Sequence, residues 1–440
     1  MNATGRAAVG VVLVHLLGCA LRAALQGTLL GDRRSVGDRF ATLIAALAEP
    51  WSTLLGLATL HALSNGVTFF PALLALFGVL ASDGSVPERR PSRALAASFA
   101  AVVVVVFLRP MTPTFWDEFV WLGKARLEYF SFGGSVSAAL DPRAHLLPPG
   151  YPTLWPAAAA WFALRADDLA CLTAGASAFV ALAATTFLAA AARTVPPMTR
   201  RDAVVAASLV LAAPLVLVHA RSVYVDLPLG LLGAALLLTF TREGASSTQA
   251  AVLALLTVSL KDEGLAHLAC AVVGAVIVGR PGPRLSRAVL AAAAVGALTF
   301  ATWQLRVSFA DIPREHAGFA PHFAWILPFL PRALAHATEV MSWGVFWPAV
   351  LVVAGFAYRE AAVRSAATAL LLHAAFVATM LVLGPPRVRA FAEAGTLLGR
   401  VLVQLWPLGV VVLLMGFRSS STATSAIDRP KSTSQVSATR

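Results

Sequence analysis

Residues 248–280 read TQAAVLALLTVSLKDEGLAHLACAVVGAVIVGR. Two apolar runs, 248–261 and 264–280, meet at Lys261-Asp262-Glu263-Gly264. A helix needs about 20 predominantly apolar residues to cross a bilayer. Each run is shorter than that, so both read as half-length or tilted helices joined at a charged turn. An ionisable side chain inside a membrane costs about 2.5–3.5 kcal/mol on insertion scales and is usually functional. Three in a row are not filler.

The whole chain agrees with this stretch. Of its 440 residues 58% are apolar and 13% charged, and the mean hydropathy is +0.76. A soluble domain carries about 45–50% apolar and about 25% charged residues. A globule of this composition would lack the polar surface to cover itself. That excludes a soluble enzyme, a disordered chain and a disulfide-stapled module. Cys19, Cys171 and Cys270 each sit in an apolar run and read as small buried hydrophobes, with neither disulfide nor metal-ligand spacing. The net charge of +12 does not signal nucleic acid: the arginines lie in short clusters between apolar runs, without a basic stripe.

The expected fold class is all-α, a polytopic transmembrane helical protein of about 12 spans. The spans are expected at 8–30, 66–82, 92–109, 168–192, 203–220, 222–240, 248–261, 264–280, 286–306, 335–357, 362–384 and 400–417. Residues 41–62 are either an extra span or an interfacial helix. The first apolar stretch is too long for a signal peptide and reads as an uncleaved span. The chain divides into N-terminal spans and a cytoplasmic loop (1–91), a transmembrane core (92–417) and a disordered basic tail (418–440).

Orientation follows from arginine placement. Twelve spans put Arg89/Arg90/Arg93, Arg200/Arg201, Arg280/Arg284/Arg287, Arg359/Arg364 and the tail on one face, the cytoplasmic one. Both termini are then inside the plasma (inner) membrane. Arg33, Arg34 and Arg39 fall outside, partly offset by Asp32 and Asp38.

The external segments are then 110–167, a short one at 221–226, 307–334 and 385–399, with the turn 261–264 at the same face. In the longest, Asp117 and Glu118 are adjacent acids among aromatics, placed to keep a base ready at neutral pH, or simply to cap a helix. The apolar residues Trp116, Phe119, Val120, Leu122 and Leu127 fit an amphipathic helix lying in the membrane interface. From His145 through Pro148-Pro149-Gly150-Tyr151-Pro152 to Trp155 and Pro156 the chain re-enters the membrane on a stiff, proline-built run. Asp226, in Asp226-Leu227-Pro228, puts an acid at the outer end of a span. Glu315, His316 and His322 match no strong zinc spacing.

These features resemble the polytopic glycosyltransferases of the C superfold (GT-C type). The shared features are the early acid pair, a Pro-Pro-x-Tyr-Pro segment, an Asp-x-Pro at a later span, the Lys-x-Glu-Gly turn, and Gly399-Arg400 leading to Gln404 and Pro407. The chain is most similar to protein-mannosyltransferase and aminoarabinose-transferase-like bacterial members, over residues 100–410. It departs from them in having two or more spans before the acid pair. It also shows no large soluble C-terminal domain, so loops would recognise the acceptor.

The resemblance implies a sugar donor on a polyprenyl phosphate, delivered from the bilayer to an outward-facing cavity. An acceptor hydroxyl or amine attacks the anomeric carbon with inversion and the lipid phosphate leaves. It assigns Asp117 as general base, with Glu118 as partner or substitute. Lys261, Arg400, Arg126, Lys124 and Arg221 are the cations expected to hold the donor phosphate. His145, Tyr151, Asp226 and Glu263 are expected against donor or acceptor. Each has a plainer reading: Lys261 pairing with Glu263 or Asp262, Lys124 and Arg126 as snorkelling anchors, Tyr151 in an aromatic belt, Asp226 as a helix cap. No cofactor or metal is expected, although members of this family differ in using a divalent cation. The acceptor is a lipid, a glycan or a protein, and no nucleic acid is involved. Two other classes fit the composition: a secondary transporter with Lys261-Asp262-Glu263 as ion-coupling residues, and a non-enzymatic membrane subunit.

Overall fold

A computed structural model describes residues 2–29, 50–64, 70–82, 113, 116–130, 150–164, 168–195, 205, 208, 213–241, 245–278, 282–310, 323–384, 386–393 and 396–427. The expected span 92–109, residues 203–204, 206–207 and 209–212 of the expected span 203–220, the arginine clusters at 89–93 and 200–201, His145, and the Glu315/His316/His322 group lie outside the described residues.

Every regular element among the described residues is helical. The first are α1 (Ala3–Leu29), α2 (Pro50–Ser64), α3 (Phe70–Ser82) and α4 (Trp116–Phe130). Next come α5 (Leu154–Ala163), α6 (Leu169–Thr194), α7 (Pro214–Ala220), α8 (Asp226–Thr241), α9 (Ser247–Leu260), α10 (Gly264–Val278) and α11 (Pro283–Phe309). A short 3-10 turn (Phe323–Trp325) leads into α12 (Ile326–Ala337), α13 (Val340–Trp343), α14 (Phe346–Ala357), α15 (Ala361–Leu383), α16 (Pro386–Glu393) and α17 (Thr396–Ile427).

Five stretches are long and apolar enough to cross a bilayer: Ala3–Arg22, Leu169–Thr194, Pro283–Phe309, Ala361–Leu383 and Leu397–Gly416. Shorter apolar helices pack between them. The outward faces carry Leu290, Leu351, Phe356 and Leu371, all strongly exposed. In water such a surface would aggregate, whereas in hydrocarbon it is ordinary. The chain is a membrane-embedded helical protein.

At the centre stands α8, buried from Asp226 through Phe240 and packed against α6, α9, α10 and α17. A helix apolar all round belongs inside a bundle. Lipid tails supply no hydrophobic drive between helices, so close approach by small residues does the work. Gly230 on α8 lies directly against the Gln404 carbonyl of α17, and its lack of a side chain sets that contact. α9 returns antiparallel to α8, and α10 runs antiparallel to α15, with Gly274 against Ser365.

Several expectations change. The 335–357 stretch is not one continuous helix: α12, α13 and α14 are separated by Thr338-Glu339 and by Gly344, which has φ 54°. Composition registers an apolar run and cannot see that break. Part of the ambiguous stretch 41–62 is the buried helix α2. Residues 154–163, counted within an external segment, form the buried core helix α5, whose ten residues are too short to be counted as a span. α17 continues to Ile427, into the tail expected to be disordered.

Candidate functional site

The charged turn joins α9 to α10 as the sequence indicated, and its lysine points into the bundle. Lys261 is buried, and its Nζ lies 2.7 Å from Oε1 of Glu263 and 3.4 Å from Oδ1 of Asp226. Asp226, the first residue of α8, is fully buried at 0% exposure. Its Oδ2 accepts from Nε of Arg400 at 2.8 Å, and its Oδ1 accepts from Nε2 of Gln404 at 2.6 Å. One carboxylate thus ties together the start of α8, the α9–α10 turn and the first turns of α17. The plain reading of Lys261, an internal ion pair with Glu263, is realised, and Asp226, read as a helix cap, also pairs with Lys261 and Arg400.

Aromatic rings line the same cluster. The ring of Tyr151 lies 5.7 Å from Lys261 Nζ and stacks on Trp121 of α4 at 6.1 Å between centroids. The guanidinium of Arg400 lies 4.9 Å from the Tyr224 ring. Such contacts strengthen where water is excluded.

α4 carries the acid pair to this place. Glu118 is buried, and its Oε1 accepts from the backbone N–H of Val223 at 2.9 Å, three residues before Asp226. Trp155 Nε1 donates to the carbonyl of the same Val223 at 3.1 Å. Val223 is therefore held from both sides, which fixes the approach to Asp226. Asp117 occupies the first turn of α4 beside Glu118; its side chain lies outside the described residues.

The buried face of α4 mixes polar and apolar side chains. Glu118, Trp121, Leu122, Lys124 and Ala125 are buried, while Phe119 is 44% exposed. A helix between lipid and a polar cluster turns polar residues inward, the reverse of a helix on a soluble core. Lys124 is buried with its Nζ 5.4 Å from the Trp121 ring centroid, so it is not a snorkelling anchor. Arg126 is exposed. Arg221 caps the C-terminus of α7, half-buried, one residue before the Ser222–Val223 approach.

Of the expected site residues, Tyr151, Asp226, Lys261, Glu263 and Arg400 meet, with Glu118 and Lys124 one contact away. Sequence reading missed two residues in the same region. His267 of α10 and His373 of α15 are buried against each other, with ring centroids 3.9 Å apart and planes tilted by 39°. The available signal was a lone histidine in each apolar helix. α15 continues ten residues past His373, about 15 Å at the helical rise, so the cluster is recessed within the bundle. Among the described residues no group of three or more His, Cys, Asp or Glu could hold a metal ion. Chemically, the site offers paired cations and carboxylates in a buried cluster beside aromatic rings. Comparison of the chain with family models, with curated proteins and with solved structures finds no match.

Proposed function

We propose that the chain is an integral-membrane glycosyltransferase of the C-superfold type. It moves a sugar from a polyprenyl-phosphate donor to a lipid, glycan or protein acceptor. In this reading the chain crosses the inner membrane about twelve times, both termini are cytoplasmic, and the Asp226 end of α8 faces outside. The observation that carries it is the convergence of Tyr151, Asp226, Lys261, Glu263 and Arg400, distant in sequence, on one buried site beside α4.

Two requirements of the reaction have residues to meet them. The departing phosphate needs cations as charge builds on it. Lysine has three donors and arginine five, and Asp226 and Glu263 hold Lys261 and Arg400 in fixed orientation before any donor arrives. The acceptor needs a base. The family resemblance gives that role to Asp117, with Glu118, whose Oε1 accepts from the Val223 N–H, beside it in α4. The acceptor oxygen or nitrogen attacks the anomeric carbon as the bond to the phosphate oxygen breaks, and its proton passes to Asp117. The electron pair leaves on the lipid phosphate, facing Lys261 and Arg400. Tyr151 and Tyr224 offer ring faces to the sugar.

Binding of a radiolabelled polyprenyl phosphate to the protein in nanodiscs tests this reading. Lys261→Ala and Arg400→Gln should each weaken binding at least tenfold, about 1.4 kcal/mol. Unchanged affinity in both would remove the phosphate assignment. A secondary transporter is the second reading, favoured by the two histidines buried beside the ion cluster. It predicts proton-driven solute uptake in vesicles without donor turnover.

A further inference from the structure

His267 and His373 play no part in the reaction outlined above. Among the described residues, Nε2 of His267 and both ring nitrogens of His373 have no hydrogen-bond partner, and neither does Oε2 of Glu263, one turn before His267. Each buried polar atom left unmatched costs about 1–3 kcal/mol. Apolar residues at these positions would avoid that cost. The fold makes room for the pair instead: a Cβ at Gly233 of α8 would lie 2.7 Å from Nδ1 of His267.

Among the described residues, the charged groups acting on the two rings are Asp226 from α8 and Lys261 and Glu263 from the α9–α10 turn, with the Gln404 amide beside both; Arg400 of α17 joins the same ion cluster through Asp226. Two carboxylates balance two cations, so the enclosed cluster is neutral as it stands. A proton on either ring would then be an unbalanced buried charge, which is strongly penalised. A phosphate diester seated at Lys261 and Arg400 reverses that balance by adding one negative charge in a low-dielectric enclosure.

We propose that His267 and His373 together take up one proton when a phosphate diester binds at Lys261 and Arg400, and release it when the phosphate departs. The inference rests on the donor-phosphate reading. The proton comes from water and forms an N–H bond at one of the unpartnered ring nitrogens; no other bond changes. Linkage then requires reciprocity: a ligand that raises proton affinity binds more tightly as pH falls.

The test is calorimetry of dihexadecyl phosphate binding to the whole protein in detergent, in two buffers of different ionisation enthalpy. The probe is a diester and keeps a single charge throughout the range in which imidazole titrates. The expected result at about pH 6.5, near the ordinary histidine value, is uptake approaching one proton per bound diester. Affinity should rise as pH falls, by up to about tenfold per pH unit. His267→Gln with His373→Gln should abolish the uptake while binding at high pH persists. Should that double variant fail to fold, the wild-type measurement alone decides. Binding without proton exchange at any pH overturns this inference and leaves the donor-phosphate reading intact. No binding of the diester at all overturns both.

Discussion

Replacing Asp226 by asparagine isolates the contact on which the site is built. The carboxylate is fully buried and accepts from Arg400 at 2.8 Å, from Gln404 at 2.6 Å and from Lys261 at 3.4 Å. Asparagine keeps one acceptor oxygen and loses the charge. Hydrogen bonds to charged groups contribute about 1.5–3 kcal/mol each, and breaking a buried ion pair by removing one partner costs about 3–5 kcal/mol. Two features lower the figure. Lys261 retains Glu263 at 2.7 Å, and the Arg400 side chain, 23% exposed, can regain some water. The loss should therefore lie near the lower end, about 3 kcal/mol. Equilibrium unfolding by a denaturing detergent, followed by tryptophan fluorescence, measures it. Arg400→Gln alone and the double variant complete a cycle, and the double should be more stable than the summed singles by about 1 kcal/mol or more. An Asp226→Asn variant within about 0.5 kcal/mol of wild type, the range of a neutral surface change, would refute the reasoning.

Other substitutions follow from the same geometry. Gly233→Val should cost about 1–3 kcal/mol by driving a side chain into the His267 ring, whereas Gly78→Ala, with nothing within 4 Å of its new Cβ, should be neutral or slightly stabilising in the same assay. Trp155→Phe removes the donor to the Val223 carbonyl and should cost about 1 kcal/mol. Lys261→Ala should raise the apparent donor requirement more than the acceptor requirement in steady-state kinetics; equal effects would mark a structural role.

Much of the site was legible because charge is conspicuous in an apolar chain. Asp226, Lys261, Glu263 and Arg400 stood out at the ends of apolar runs, and the folded chain joins them. The paired short helices α9 and α10 were readable from the polar turn between them. What failed to show has physical causes. Apolar composition is the same whether a run is one span or the broken series α12 to α14, because a break at Gly344 leaves hydropathy unchanged. The buried face of α4 did not show, because the pattern of its apolar residues does not say that Glu118 and Lys124 turn into the fold while Phe119 stays exposed. His267 and His373 each looked like one polar residue in an apolar helix. Only the antiparallel packing of α10 on α15 makes them a pair.

Turnover with a reconstituted donor tests the central claim most directly. The purified protein in liposomes, given a panel of polyprenyl-phosphate sugars and an envelope lipid or peptide acceptor, should release free polyprenyl phosphate. It should modify the acceptor with inverted anomeric configuration, and Asp117→Asn should insert normally and release nothing. Release by Asp117→Asn at the wild-type rate, or no release from any donor by folded wild-type protein, would contradict the account.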